Sequence, residues 1–320
     1  MRRHEYFMLA WAGVLLGVLL LVFESVATFA MAPRAEAPAP AFYRQMLGAF
    51  EVTVLWDGTT ARQFDLIMSK PAVIRDTYAR DHQALPAEMS INTFLINTGS
   101  KLVLVDTGGG GYVGPRAGRL LANLRAAGYL PEQVDAILIT HMHPDHIGGL
   151  MDGERRVFPN AVIHFDRRDL DYWLGPAPEG TPAARKAMFD RARASVGPYS
   201  AAGMLRPFLG VTELYPGIRA LPAPGHTMGH TAYRIESQGK VLLLWGDIVH
   251  SPETQFSDPE ISIQFDTSPD VAIETRKKLF AELARSGDLV GSAHITFPGL
   301  GHVGTDGKVY NWVPLPYGAL

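Results

Sequence analysis

The run His141-Met142-His143-Pro144-Asp145-His146 packs three imidazoles and a carboxylate into six residues. Imidazole nitrogen and carboxylate oxygen are the usual ligands of zinc and its borderline neighbours. A core cannot bury four such groups unpaired, and a surface has little reason to cluster them so tightly. The run therefore reads as a divalent-metal site rather than a polar loop. Further ligand types stand downstream. His226 lies in Ala223-Pro224-Gly225-His226, Asp247 ends Val241-Leu242-Leu243-Leu244-Trp245-Gly246-Asp247, and His294 closes Gly291-Ser292-Ala293-His294.

Each of these groups follows a strand-like segment. Residues 134–139 are apolar and rich in branched side chains, so they read as a buried strand whose carboxyl end delivers the histidines. In extended chain, residues i and i+2 point the same way, which lets His141 and His143 converge on one ion. Pro144 then turns the chain and lets Asp145 and His146 face a second position, and Gly148-Gly149 supply a sharp bend. Residues 50–56, 93–98, 101–105, 161–165, 212–215, 219–220, 231–235 and 241–244 also read as strands. Residues 118–127, 167–174, 182–194 and 269–285 read as helices. Strands alternating with helices in two halves predict a single α/β unit beginning near Phe42. Gly108 to Gly111 lack the Gly-Lys-Ser/Thr of a phosphate-binding loop and read as a flexible loop beside the site, with Tyr112 at its tip.

Composition narrows the function. The chain has 320 residues, 47% hydrophobic content and a net charge of −3, enough for a sizeable core and no electrostatic support for a nucleic-acid partner. With no cysteine, disulfides, thiolate ligands and a cysteine nucleophile are excluded. Arg2-Arg3 precede an uncharged run from Phe7 to Phe23, followed by small residues that include Ala30-Met31-Ala32. Residues 1–32 are therefore expected to be a signal peptide or a retained membrane anchor, and 33–41 a Pro/Ala linker. Either reading exports the domain at 42–320, to the periplasm or beyond.

The ordered set His141-x-His143-x-Asp145-His146, His226, Asp247 and His294 resembles the metallo-β-lactamase superfamily over most of the chain. Trp245 to His250, Gln264-Phe265-Asp266 and His294 to His302 further resemble its methyl parathion hydrolase branch, dinuclear zinc hydrolases of phosphotriesters with relatives that cleave lactones and aryl esters. The resemblance implies a four-layer αββα sandwich with the site at one edge between two sheets. It implies that His141, His143 and His226 hold one ion, that Asp145, His146 and His294 hold the other, and that Asp247 bridges them. Two ions roughly 3.5–4 Å apart share a water and turn it into a hydroxide nucleophile. Asp145 and Asp247 are then the candidate catalytic carboxylates, Asp145 as a proton shuttle. Asp106 is expected to orient a ligand imidazole. Trp173 and Phe189 correspond to aromatic positions lining the substrate pocket, and His250 to a substrate-binding position, with packing as the alternative for all three. His230 and His302 read as structural.

The function expected is a dinuclear hydrolase, most simply of zinc, acting on small esters, lactones or organophosphate triesters, and a homodimer by resemblance. The alternatives are an exported β-lactamase and a non-catalytic metal-binding protein. Asp247 stands where some β-lactamases use a cysteine, which favours the first reading.

Overall fold

The structure, a computed structural model, describes residues 41–318. The expected export segment at 1–32, and the linker apart from Ala41, lie outside the described residues. The described chain forms two seven-stranded sheets. The first runs, in spatial order, Phe42–Leu47, Phe50–Arg62, Ala87–Asn97, Leu102–Val105, Ala136–Leu138, Val162–Asp166 and Leu205–Phe208. Its first four strands are antiparallel and the rest join in parallel. The second runs Thr212–Tyr215, Ile218–Pro222, Thr231–Ser237, Lys240–Leu244, Leu289–Gly291, Leu300–Thr305 and Tyr310–Pro314, with one parallel pair at Lys240–Leu244 and Leu289–Gly291.

Alternation along single strands shows why four layers form. In Leu102–Val105, Val103 and Val105 pack into a core shared with Ile218, Tyr233, Ile235, Leu242 and Leu244 of the second sheet. Leu102 and Leu104 point the other way, against Leu120, Leu124, Phe189 and Val196 on helices. Lys240–Leu244 repeats the device. Leu242 and Leu244 face the first sheet, while Leu243 and the following Trp245 face Phe280 and Leu283 of the helix Pro269–Ser286. A strand buried on both faces must be apolar throughout, so these runs carry no polar alternation in sequence. The helix, sheet, sheet, helix order matches the expected sandwich.

Several elements are longer than expected or unannounced. Phe50–Arg62 extends past 56 through a register shift between Trp56 and Gly58. The helix Ala183–Ala201 continues past 194. Phe42–Leu47, Leu205–Phe208, Leu300–Thr305 and Tyr310–Pro314 are additional strands, and Phe64–Ile67 and Pro71–Arg80 additional helices. Leu300–Thr305 hides behind its glycines. A Cβ on Gly301 would come within 2.6 Å of the Trp312 ring, so the small residue makes room for the neighbouring strand's indole.

One contact ties the strand next to the edge of the first sheet to the edge strand of the second. His164 Nε2 lies 3.0 Å from the Tyr215 hydroxyl. Burial, helped by Arg206 on the adjacent strand, pushes the His164 pKa down from 6.5 to about 4. A neutral native imidazole with a normal unfolded value gives stability that is complete above pH 6.5 and lost as pH falls toward 4. In urea unfolding, wild type should lose about 2 kcal/mol more across that window than His164→Phe. Parallel pH profiles for the two proteins would refute this.

Candidate metal centre

All seven expected ligands arrive at one edge of the sandwich. His141 to His146 follow the strand Ala136–Leu138, Asp247 follows Lys240–Leu244, and His294 follows Leu289–Gly291. His226 occupies the connection between Ile218–Pro222 and Thr231–Ser237. One ligand atom each from His141, His143, His226 and Asp247 lie within 4.8 Å of one another, and so do those of Asp145, His146 and His294. The groups meet at Asp247. Its Oδ2 is 3.6 Å from His141 Nε2, 3.2 Å from His226 Nε2 and 3.1 Å from His294 Nε2. Its Oδ1 is 3.1 Å from His146 Nε2.

Four imidazoles are aimed by what their other nitrogen touches. His146 Nδ1 donates to Asp106 Oδ2 at 2.8 Å, His226 Nδ1 to Asp266 Oδ1 at 2.8 Å, and His294 Nδ1 to the Ser90 carbonyl at 2.8 Å. His141 Nδ1 lies 3.1 Å from Thr140 Oγ1, which itself donates to Asp106 Oδ2 at 2.8 Å. Donation from Nδ1 fixes the tautomer and leaves an Nε2 lone pair facing inward. His143 is reversed. Its Nδ1 faces the centre, 3.0 Å from His226 Nε2, and its ring sits edge-on to Trp173.

The buried atoms fit a pair of cations. His141 Nε2, His146 Nε2 and Asp247 Oδ1 are shut off from solvent with no hydrogen-bond partner. Orphaned polar atoms of this kind are costly unless a ligand satisfies them. Burial pushes His141 and His143 well below the usual imidazole range, which leaves them neutral and ready to coordinate. Burial also opposes charge on His226, but Asp247 and Asp266 outweigh it and lift that group to about 9. Asp247 is held well below the carboxylate range, since His146, His294 and His141 overcome the effect of its burial.

Around the ligands stands a ring of positioning groups. Asp106, expected in this role, adopts a left-handed φ of 59° and also accepts the Thr140 N–H at 2.8 Å. His230 is structural, as expected. Its Nδ1 donates to the Ala223 carbonyl and its Nε2 accepts the Asp247 N–H, both at 3.0 Å. Gly246 must be glycine, because its φ is 59° and a Cβ would lie 2.6 Å from His230 Nε2. His302 caps the end of the helix Pro269–Ser286 through the Gly287 carbonyl. Three carboxylates had no role assigned from sequence, although Asp266 belongs to a quoted motif. Asp266 orients His226. Asp169, fully buried, accepts from Met142 N, Thr227 Oγ1 and Gly229 N and so staples the two histidine loops together. Asp57 accepts from Gly109 N, Gly118 N and Leu120 N.

Some expectations need correction. Trp173 and Phe189 do not line the cavity. Both are 0% exposed and belong to the helix-side core, ring against ring at 4.7 Å. Helical spacing of aromatic residues marks a packed face more readily than a pocket. Gly148 bends nothing unusual at φ −64°; it is needed because a Cβ would stand 2.1 Å from the Gly109 carbonyl oxygen. Gly108 and Gly109 are likewise buried, against Asp57 and Val113 respectively, rather than forming a loose loop. Tyr112 does reach the cavity.

That cavity, of about 580 Å³, opens over the ligands and includes His143, Asp145, His226, Asp247, His250 and His294 in its floor. His250 is one of the expected substrate contacts and lies where it can act. Its Nε2 is 3.2 Å from Asp247 Oδ2, its ring stacks on His294, and burial pushes its pKa down to about 4.

Replacing Asp266 with alanine should weaken metal retention at the His226 position by roughly 10–100-fold, because the ring loses its tautomer and its aim. Competition against a chromophoric chelator measures this, and unchanged affinity would remove Asp266 from the site.

Comparison with known proteins places this geometry. Residues 87–294, more than half of the chain, match the Metallo-beta-lactamase superfamily. Curated relatives include a hydroxyacylglutathione hydrolase of Photobacterium profundum, 34% identical over 120 residues, which are 37% of this chain and 34% of that protein. A probable metallo-hydrolase of Mycobacterium tuberculosis is 28% identical over 184 residues, 49% of this chain and 56% of that one. The chain therefore spans about a third to just over half of the length of these curated relatives. Solved structures match over far more. The hydrolase AbOPH of the beta lactamase superfamily aligns with a TM-score of 0.83 and 32% identity, covering 88% of this chain and all (100%) of its own. AidC, a dizinc quorum-quenching lactonase with a bound homoserine product, aligns with a TM-score of 0.80 and 28% identity, over 87% and 99% of the two chains. With its two sheets packed between helices and its ligands at their shared edge, the chain belongs to the metallo-beta-lactamase superfamily.

Proposed function

We propose that this protein is a dizinc hydrolase of small esters and lactones, with organophosphate triesters as substrates of the same site. The observation that carries this reading is the pair of ligand groups joined by one carboxylate, Asp247, in the floor of a single cavity. The likeness to AidC, a dizinc lactonase, and to the hydrolase AbOPH supports it. His141, His143 and His226 would hold one ion, Asp145, His146 and His294 the other, and Asp247 both. When bound, such a pair supplies Lewis acidity for the acyl or phosphoryl oxygen and an acidified water.

The protein's own groups do the rest. Asp106, Asp266 and the Ser90 carbonyl hold three imidazoles in one orientation, so no reorganisation is needed when substrate arrives. His250, in the cavity floor with its Nε2 3.2 Å from Asp247 Oδ2, would stand beside the substrate and hold that carboxylate in place. Asp145 sits in the cavity floor next to His146 and His294, and can take a proton from water and return it to the leaving oxygen.

Asp247→Ala should bind fewer than two equivalents of zinc and lose roughly a thousandfold in kcat/KM, the scale of several kcal/mol of Lewis-acid stabilisation. Metal analysis with ester kinetics checks it, and two retained ions with full turnover would exclude the bridge. Substrate class is settled by comparing kcat/KM for an aryl lactone, a dimethyl aryl phosphotriester and nitrocefin on one zinc-loaded preparation of the full chain. Preference for the lactone is expected. Preference for nitrocefin would replace this reading with a β-lactamase, and no turnover of any of the three would leave a metal-binding protein.

A further inference from the structure

The walls of the cavity carry an unusual charge. Its lining includes three guanidinium groups, Arg62, Arg185 and Arg191, and only two carboxylates, Asp145 and Asp247, both assigned to the metal centre. Among the described residues no lysine or glutamate lines it. The guanidinium groups outnumber the carboxylates, of which Asp145 feels the charge of Arg62, and two bound cations would add to the positive side.

None of the three arginines is neutralised elsewhere. Among the described residues none of them forms an ion pair. Arg62 ends the long strand Phe50–Arg62, and its Nε is shut off from solvent with no hydrogen-bond partner. Its guanidinium rests 5.7 Å from the centre of the Phe265 ring, another wall residue. Arg191 rests 5.4 Å from the centre of the Tyr112 ring, also in the wall. Arg185 donates to Thr267 Oγ1 at 3.0 Å, a neutral acceptor. Arg185, Met188 and Arg191 are spaced by three along the helix Ala183–Ala201, so one stripe of that helix faces the cavity. Aromatic faces hold the two guanidinium planes without consuming their donors. A buried N–H with no acceptor is costly, and a planar fork of donors matches a carboxylate or phosphate.

We propose that the substrate of this cavity carries an oxyanion, a carboxylate or phosphate remote from the scissile bond, and that Arg62, Arg185 and Arg191 receive it. The inference rests on the hydrolase reading above and narrows it from small esters and lactones in general to anionic ones. Arg62, on a strand end opposite the helix, and the two helix arginines would grip the anion from different walls. Met188 between them would pack on the connecting chain.

The test uses the zinc-loaded full chain and three 4-nitrophenyl esters of one chain length, ending in a carboxylate, a phosphate or a neutral carboxamide. At least one anionic ester should exceed the carboxamide by roughly tenfold in kcat/KM, mainly through KM, as expected for charge-assisted hydrogen bonds. The preference should shrink in high salt and fall toward parity in the double variant Arg62→Gln/Arg191→Gln. Which anion leads identifies the oxyanion. Equal kcat/KM for all three esters, or a preference that the double variant retains, would overturn the proposal. Should no ester be cleaved, the hydrolase reading fails by itself. The inference is then read from calorimetric binding of the matching anilides, where tighter binding of an anionic one that the double variant abolishes supports it, and equal affinities overturn it.

Discussion

A single buried carboxylate organises the molecule. Asp247 stands among the imidazoles of His141, His146, His226, His250 and His294, all within 3.6 Å. Placing that many polar rings out of water around one charge is costly, and four of the five, all but His250, have a partner on their far side. The far-side partners come from every part of the chain: Asp106 and Thr140 from the first sheet, Asp266 from the loop before the last helix, and the Ser90 carbonyl from the strand Ala87–Asn97. The constraint therefore reaches outward and fixes the ends of both sheets with respect to each other.

The loops could not meet so closely without the residues that give way. Gly148 and Gly149 let the histidine loop lie on the backbone of Thr107 and Gly109, and Gly246 lets Asp247 turn in beside His230. The buried carboxylates Asp57 and Asp169 then tie loop amides that no strand pairs. An unpaired backbone N–H in a buried loop is costly, so each of these side chains substitutes for a missing ladder. Rigidity at the site comes from this bonding as much as from the sheets.

The ligands were legible because their chemistry is rare and their order is compact: six residues supply four of them, and each later one ends an apolar run. The four-layer architecture was legible from the same runs and from the resemblance together. The roles of Asp57, Asp169 and Asp266 were not, since the groups that each holds at the site lie 27 to 63 residues away in sequence. Nothing local marks a carboxylate that will cap a distant loop. Trp173 and Phe189 misled for a related reason. An aromatic near a site by family position is not thereby exposed to it, and here their rings fill the gap between helix and sheet.

Burial of those two rings also explains where specificity can reside. Phe189, Ala192 and Val196 anchor one side of the helix Ala183–Ala201 to the first sheet. Once that side is committed to the core, the stripe carrying Arg185, Met188 and Arg191 has a fixed orientation over the metal ligands. The centre itself draws its groups from strand ends of both sheets, where small movements would break several hydrogen bonds at once. The cavity walls draw theirs from that helix, from the Gln264-Phe265 segment and from the strand residues Thr60, Arg62 and Met89. The residues that could hold metal thus rest at the sheet ends, while Arg185 and Arg191 rest on a helix held by its own packing.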